Sequence, residues 1–117
     1  MKILIVDDNP DSREIMRTAL ELENFEVTEA EDGKECLEKI KNEGFSVVLL
    51  DLSLPEISGW ELAKKIKEKN KDIKIIAVTA HAMMGDKEKA IEAGCDDYIS
   101  KPLKPAHLIE KVKKIIK

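Results

Sequence analysis

The stretch Ile3-Leu4-Ile5-Val6-Asp7-Asp8-Asn9-Pro10 carries the pattern that the rest of the chain repeats. Four apolar residues in a row, three of them β-branched, read as a strand covered on both faces, because a half-exposed strand alternates apolar with polar. Two carboxylates then stop the run. Asn9-Pro10 follows as an N-cap with proline at the first helical position, where its missing N–H costs nothing. Strand, acidic turn and helix therefore lie within the first ten residues and the stretch after them.

The same unit recurs along the chain. Further apolar runs span Phe25 to Thr28, Val47 to Leu50, Ile75 to Val78 and Tyr98 to Ile99. Between them the apolar residues take helical spacing: Ile15, Met16, Ala19 and Leu20; Leu37 with Ile40; Leu62 with Ile66; Ala90 with Ile91; Leu108 with Val112 and Ile115. Asp32-Gly33-Lys34-Glu35 and Ser58-Gly59-Trp60-Glu61 read as capping boxes, and Gly44 and Gly94 fall where helices should stop. Five strand–helix repeats imply an α/β class with a parallel, doubly wound, five-stranded sheet and helices on both faces. No linker, low-complexity segment or further repeat interrupts the alternation, so residues 1–117 are expected to form one domain.

Composition narrows the function. The 117 residues are 43% hydrophobic, enough for one core, and carry a net charge of -4 without the basic stripe that a nucleic-acid surface needs. No window approaches the roughly 18 apolar residues of a membrane span, and the acidic pair arrives too early for a signal peptide, so a cytoplasmic protein is expected. Cys36 and Cys95 lack metal-type spacing and read as reduced, small apolar residues. The interleaved Lys and Glu, as in Lys64-Lys65-Ile66-Lys67-Glu68-Lys69, read as solvated helix faces.

In an open parallel sheet, ligands gather outside the carboxyl ends of the strands. Those ends carry Asp7 and Asp8, then Asp51, then Thr79, then Ser100 and Lys101. Two carboxylates about 4 Å apart repel by about 4 kcal/mol at an effective dielectric of about 20. Protonation, a nearby lysine or a bound cation relieves that repulsion, and an oxygen-rich cluster suits Mg²⁺ or Mn²⁺. With such an ion, the carboxylate of Asp51 could attack a phosphoryl group in line, while a hydroxyl and an ammonium balance its charge. The resulting acyl phosphate would be labile, as suits a timed switch.

Together, Ile5-Val6-Asp7-Asp8, Asp51-Leu52-Ser53-Leu54-Pro55, Val78-Thr79-Ala80 and Ser100-Lys101-Pro102 resemble the receiver domains of two-component response regulators over the whole chain. The resemblance implies a flavodoxin-like sheet with strand order 2-1-3-4-5. It makes Asp51 the phosphoacceptor and makes Asp7, Asp8, Asp51 and the backbone carbonyl of Ser53 the ligands of Mg²⁺. It also assigns Thr79 and Lys101 to the phosphoryl oxygens, and Thr79 with Tyr98 to the switch. Ser53 and His81 occupy lifetime-tuning positions, Pro55 and Gly59 shape the pocket loop, and Lys101-Pro102 should be a cis bond. Leu54, where such proteins often carry Met, is a volume-conserving departure. The implied partners are a histidine kinase or histidine phosphotransfer protein and a downstream protein effector, with no nucleic acid or membrane in direct contact. The only enzymatic activity implied is self-phosphorylation and self-dephosphorylation, and the output surface is that of the fourth and fifth predicted helices with strand five.

Three rivals use similar parts. A phosphotransferase of the haloacid dehalogenase type needs its nucleophile after strand one with a second Asp two residues on, which Asp7-Asp8-Asn9 lacks. A nucleotide or flavin binder needs a glycine- or hydroxyl-rich loop there, and Asp7-Asp8-Asn9-Pro10-Asp11 would repel a phosphate. A phosphorylation-independent interaction module has usually lost the acids that this chain keeps. The segment Ala82-Met83-Met84-Gly85 reads either as an apolar docking lip or as a helix start packed on the core.

Overall fold

Asn9 caps the first helix as its position requires: its side-chain oxygen accepts from the backbone N–H groups of Asp11 (2.8 Å) and Ser12 (3.3 Å), and Pro10 opens the helix. The computed structural model describes residues 1–52, 59–79, 88, 91–101 and 103–116. Along these, the chain runs β1 (Lys2–Val6), α1 (Pro10–Leu22), β2 (Glu26–Ala30), α2 (Gly33–Asn42), β3 (Val47–Asp51), α3 (Gly59–Lys69), β4 (Lys74–Thr79), β5 (Asp97–Ser100) and α4 (Pro105–Ile115). The helix expected around Ala90 and Ile91 falls largely outside the described residues, as do Ser53, Leu54, Pro55, Ser58, the Ala82-Met83-Met84-Gly85 segment and the cap that Ser58 was to provide. At α2, Asp32 accepts the N–H of Glu35 at 2.8 Å, which is the N-cap half of the expected box.

The five strands pair in parallel in the order β2-β1-β3-β4-β5. Each unbroken apolar strand divides its side chains between two cores. Leu4, Val6, Val48, Leu50, Ile75 and Ala77 pack under α2 and α3, whereas Ile3, Ile5, Val47, Leu49, Ile76, Val78 and Ile99 pack under α1 and α4. This two-sided burial is what makes the strands continuous in the sequence. Cys36 and Cys95 are buried free thiols within the first of these cores. Burial pushes both up to about 12 and leaves them protonated, as expected of small apolar residues. No helix among the described residues is long and apolar enough to cross a membrane.

Two local expectations shift. The apolar run from Phe25 to Thr28 predicts strand two there, but pairing begins at Glu26, whose N–H bonds to Met1, and runs on to Ala30. Phe25 belongs to the end of α1 instead: its N–H bonds to Leu20, after Asn24 has turned the chain at φ 67°. On α1, Ile15 has helical spacing yet is 51% exposed, because the buried stripe is Met16, Ala19 and Leu20.

Candidate functional site

Strand register delivers the acids to one place. Val6 lies opposite Leu50, so Asp7 and Asp51 leave β1 and β3 on the next rung, side by side. Asp51 lies opposite Val78 and Thr79 opposite Ser100, which sets Thr79 one step beyond the acid pair and Lys101 one step beyond Thr79. The main chain ties this edge together: Leu52 donates to the carbonyl of Val78 at 3.1 Å, and Lys101 to that of Thr79 at 2.7 Å.

One carboxylate oxygen from each of Asp7, Asp8 and Asp51 lies within 4.8 Å of the other two. Asp7 is fully buried and Asp51 is 5% exposed, while Asp8 faces solvent. Such a cluster persists only if its charge is offset. Asp7 accepts the backbone N–H of Asn9 at 2.9 Å and the ammonium of Lys101 at 3.2 Å; the same ammonium stands 3.7 Å from Asp51. Among the described residues Lys101 is the cation seen to reach this cluster, and the three acids offer oxygen donors throughout. That chemistry fits a hard divalent ion such as Mg²⁺ or Mn²⁺.

Thr79 is buried at the end of β4. Tyr98 is half-buried on β5, opposite Ala77, and packs against the core beneath α2 and α3. Gly59 opens α3 directly against Leu52, so a Cβ there would come within 2.5 Å of Leu52 Cα. Ser53, Pro55, His81 and Pro102, with the expected cis bond, lie outside the described residues.

Two features escape the reading of charged residues as solvated. Arg13, 11% exposed, donates through Nη1 to the carbonyl of Asp7 at 2.7 Å and through Nε to Glu29 at 3.0 Å. Far from the acids, Asp96 accepts from the backbone of Ile75 and the ammonium of Lys67, both at 2.8 Å, and Lys67 also reaches the carbonyl of Ile73. In sequence, neither Arg13 nor Lys67 differs from the exposed cations around it.

The chain belongs to the response regulator receiver domain family, whose model matches residues 3–113. It is 40% identical over 95% of its length to a hybrid signal transduction histidine kinase I of Dictyostelium discoideum, of which it covers 7%. It is 39% identical over 99% of its length to the transcriptional regulatory protein ResD of Bacillus subtilis, of which it spans about half, 48%. Among solved structures, a CheY-like receiver domain protein from Methanospirillum hungatei superposes with a TM-score of 0.93 at 38% identity, covering 98% of this chain and 92% of that one. The response regulator TrrA of Thermotoga maritima, solved in complex with Mg²⁺-BeF, superposes with a TM-score of 0.88 at 38% identity over 97% of each chain. This is a receiver domain of two-component signalling, with an acidic pocket of Asp7, Asp8 and Asp51. Neither the dehalogenase-type phosphotransferase nor the phosphorylation-independent module is favoured by these matches.

Proposed function

We propose that residues 1–117 form a single cytoplasmic phosphorylation switch in which Asp51 accepts a phosphoryl group from a phosphohistidine of a histidine kinase or phosphotransfer protein. The observation that carries this reading is the convergence of three carboxylates within 4.8 Å, with Lys101 reaching two of them. Mg²⁺ or Mn²⁺ held by Asp7, Asp8, Asp51 and the carbonyl of Ser53 would stabilise the charge that builds on the phosphoryl oxygens.

A carboxylate oxygen of Asp51 attacks phosphorus, the P–N bond breaks, and its electron pair stays with the imidazole, giving an acyl phosphate on Asp51. Lys101 is already poised between Asp7 and Asp51, so a short swing of its ammonium puts it on a phosphoryl oxygen. The hydroxyl of Thr79 donates to another. That pull lets Tyr98 turn inward and shifts the population of surfaces made by β5 and the helices beside it, for a protein effector to read. Attack of water on phosphorus, with cleavage of the P–O bond to Asp51, resets the switch at a rate tuned by Ser53 and His81. A cleft of ≈ 250 Å³ lies beside Lys101, walled by Ser12, Ile15, Met16 and Leu103.

The test is incubation with acetyl phosphate, or with a beryllofluoride mimic, with and without Mg²⁺, read by intact mass and by the fluorescence of Trp60 and Tyr98. A Mg²⁺-dependent gain of one phosphoryl group that is lost in Asp51→Asn supports the reading. Thr79→Ala should still accept the group but lose the fluorescence response. No change in wild type under either condition would overturn the reading in favour of a phosphorylation-independent module.

A further inference from the structure

Arg13 sits in the first turn of α1, where a charged side chain would ordinarily extend into water. Its guanidinium instead folds back on the chain. Nη1 donates to the main-chain carbonyl of Asp7 at 2.7 Å, Nε donates to Glu29 Oε1 on β2 at 3.0 Å, and Nη2 lies 3.8 Å from Glu31 Oε1. The carbonyl it holds belongs to the peptide that joins the two consecutive acids of the cluster. Fixing that peptide plane restricts the directions in which the Asp8 side chain can leave the backbone. Asp7 has anchors of its own, in Ala30, Asn9 and Lys101, whereas Asp8 is exposed and takes its orientation from the backbone that carries it.

We propose that Arg13 is a positioning residue of the cation site: anchored on Glu29, it holds the Asp7–Asp8 peptide so that the Asp8 carboxylate faces Asp7 and Asp51 before any ion arrives. This rests on reading the three acids as a divalent-cation site. A role in geometry and a role in charge have opposite signs here. Arg13 is positive, so its charge alone repels a cation and its removal would tighten binding. If it positions Asp8, removal weakens binding, because a disordered ligand must be ordered at the moment the ion binds. Arg17 supplies the control, since it pairs with Glu29 Oε2 at 2.7 Å and carries the same charge but lies one turn further along α1.

The experiment is a calorimetric titration of metal-free protein with Mg²⁺ for wild type, Arg13→Gln, Arg13→Lys and Arg17→Gln, with circular dichroism and urea midpoints to verify folding. Arg13→Gln should raise the Kd about tenfold, in the range found when a group that orients a metal ligand is lost. Arg13→Lys should raise it as well, because an ammonium keeps the charge without the two-pronged fork. Arg17→Gln should stay within about twofold of wild type. Should Arg13→Gln fail to fold, Arg13→Lys decides the question alone. Unchanged or tighter binding in the folded Arg13 variants, or an equal loss in Arg17→Gln, overturns the role of Arg13. A wild-type protein that binds no Mg²⁺ overturns the cation site itself, and the role with it.

Discussion

Replacing Gly59 by alanine measures how closely α3 is docked on the end of β3. A Cβ at this position would lie 2.5 Å from Leu52 Cα, 2.6 Å from Leu52 Cδ2 and 3.1 Å from Leu52 Cβ. Rotation of the leucine can clear Cδ2 but not Cα, which is main chain next to Asp51, with its N–H held on Val78 at 3.1 Å. Carbon atoms settle at about 3.5 Å, so either the start of α3 or the backbone after Asp51 must give by about 1 Å, at the overpacking cost of about 1–3 kcal/mol. Alanine recovers at most about 1 kcal/mol of helix preference, less at the first helical position. The net effect is a loss of about 1–2 kcal/mol, or roughly 4–8 °C in melting temperature for a domain of this size. Thermal and urea unfolding followed by far-UV circular dichroism measures it, and the displacement beside Asp51 should weaken Mg²⁺ binding as well. A melting temperature equal to or above that of wild type would mean that α3 is not docked so closely on Leu52, since an unconstrained helical glycine gains stability on becoming alanine.

Mg²⁺ should raise the melting temperature of wild type, approaching about 2.7 kcal/mol of stabilisation at 100 times its Kd, and Asp8→Ala should abolish the rise; an undiminished rise in the mutant would place the ion elsewhere. Asp96→Ala should cost about 1–3 kcal/mol, read as a lower urea midpoint, because it strips the Ile75 N–H and the Lys67 ammonium of their shared acceptor. Cys36 and Cys95, with thiols raised to about 12, should resist iodoacetamide at pH 8 in the native protein while the urea-unfolded chain alkylates fully, as mass spectrometry would show. The sign of their pH dependence follows from the same shift. Between pH 9 and 12 the unfolded thiols release protons that the folded ones keep, so stability is complete below pH 9 and falls by up to about 1.4 kcal/mol per pH unit per thiol above it. A flat urea midpoint across that window would refute it.

The chain read on its own carries the repeat of strand and helix, because continuous runs such as Val47 to Leu50 and the Asn9-Pro10 cap are local signals that need no partner to be read. It also determined that acids end strands one and three and that a threonine and a lysine end strands four and five. Strand pairing in the folded chain settles which of Val47 and Val48 faces which core, since that depends on the parity of pairing across β1, β3 and β4. It likewise brought Asp7, Asp8 and Asp51 within 4.8 Å, with Lys101 beside two of them, through the register of strands far apart in the chain. The expected start of strand two failed at Phe25 because an apolar residue after a left-handed Asn24 can close a helix as readily as open a strand. Arg13 and Lys67 were illegible for a related reason. A charged residue at helical spacing has the same local pattern whether it meets water or a buried carbonyl, and what it meets is set by chain that arrives from elsewhere.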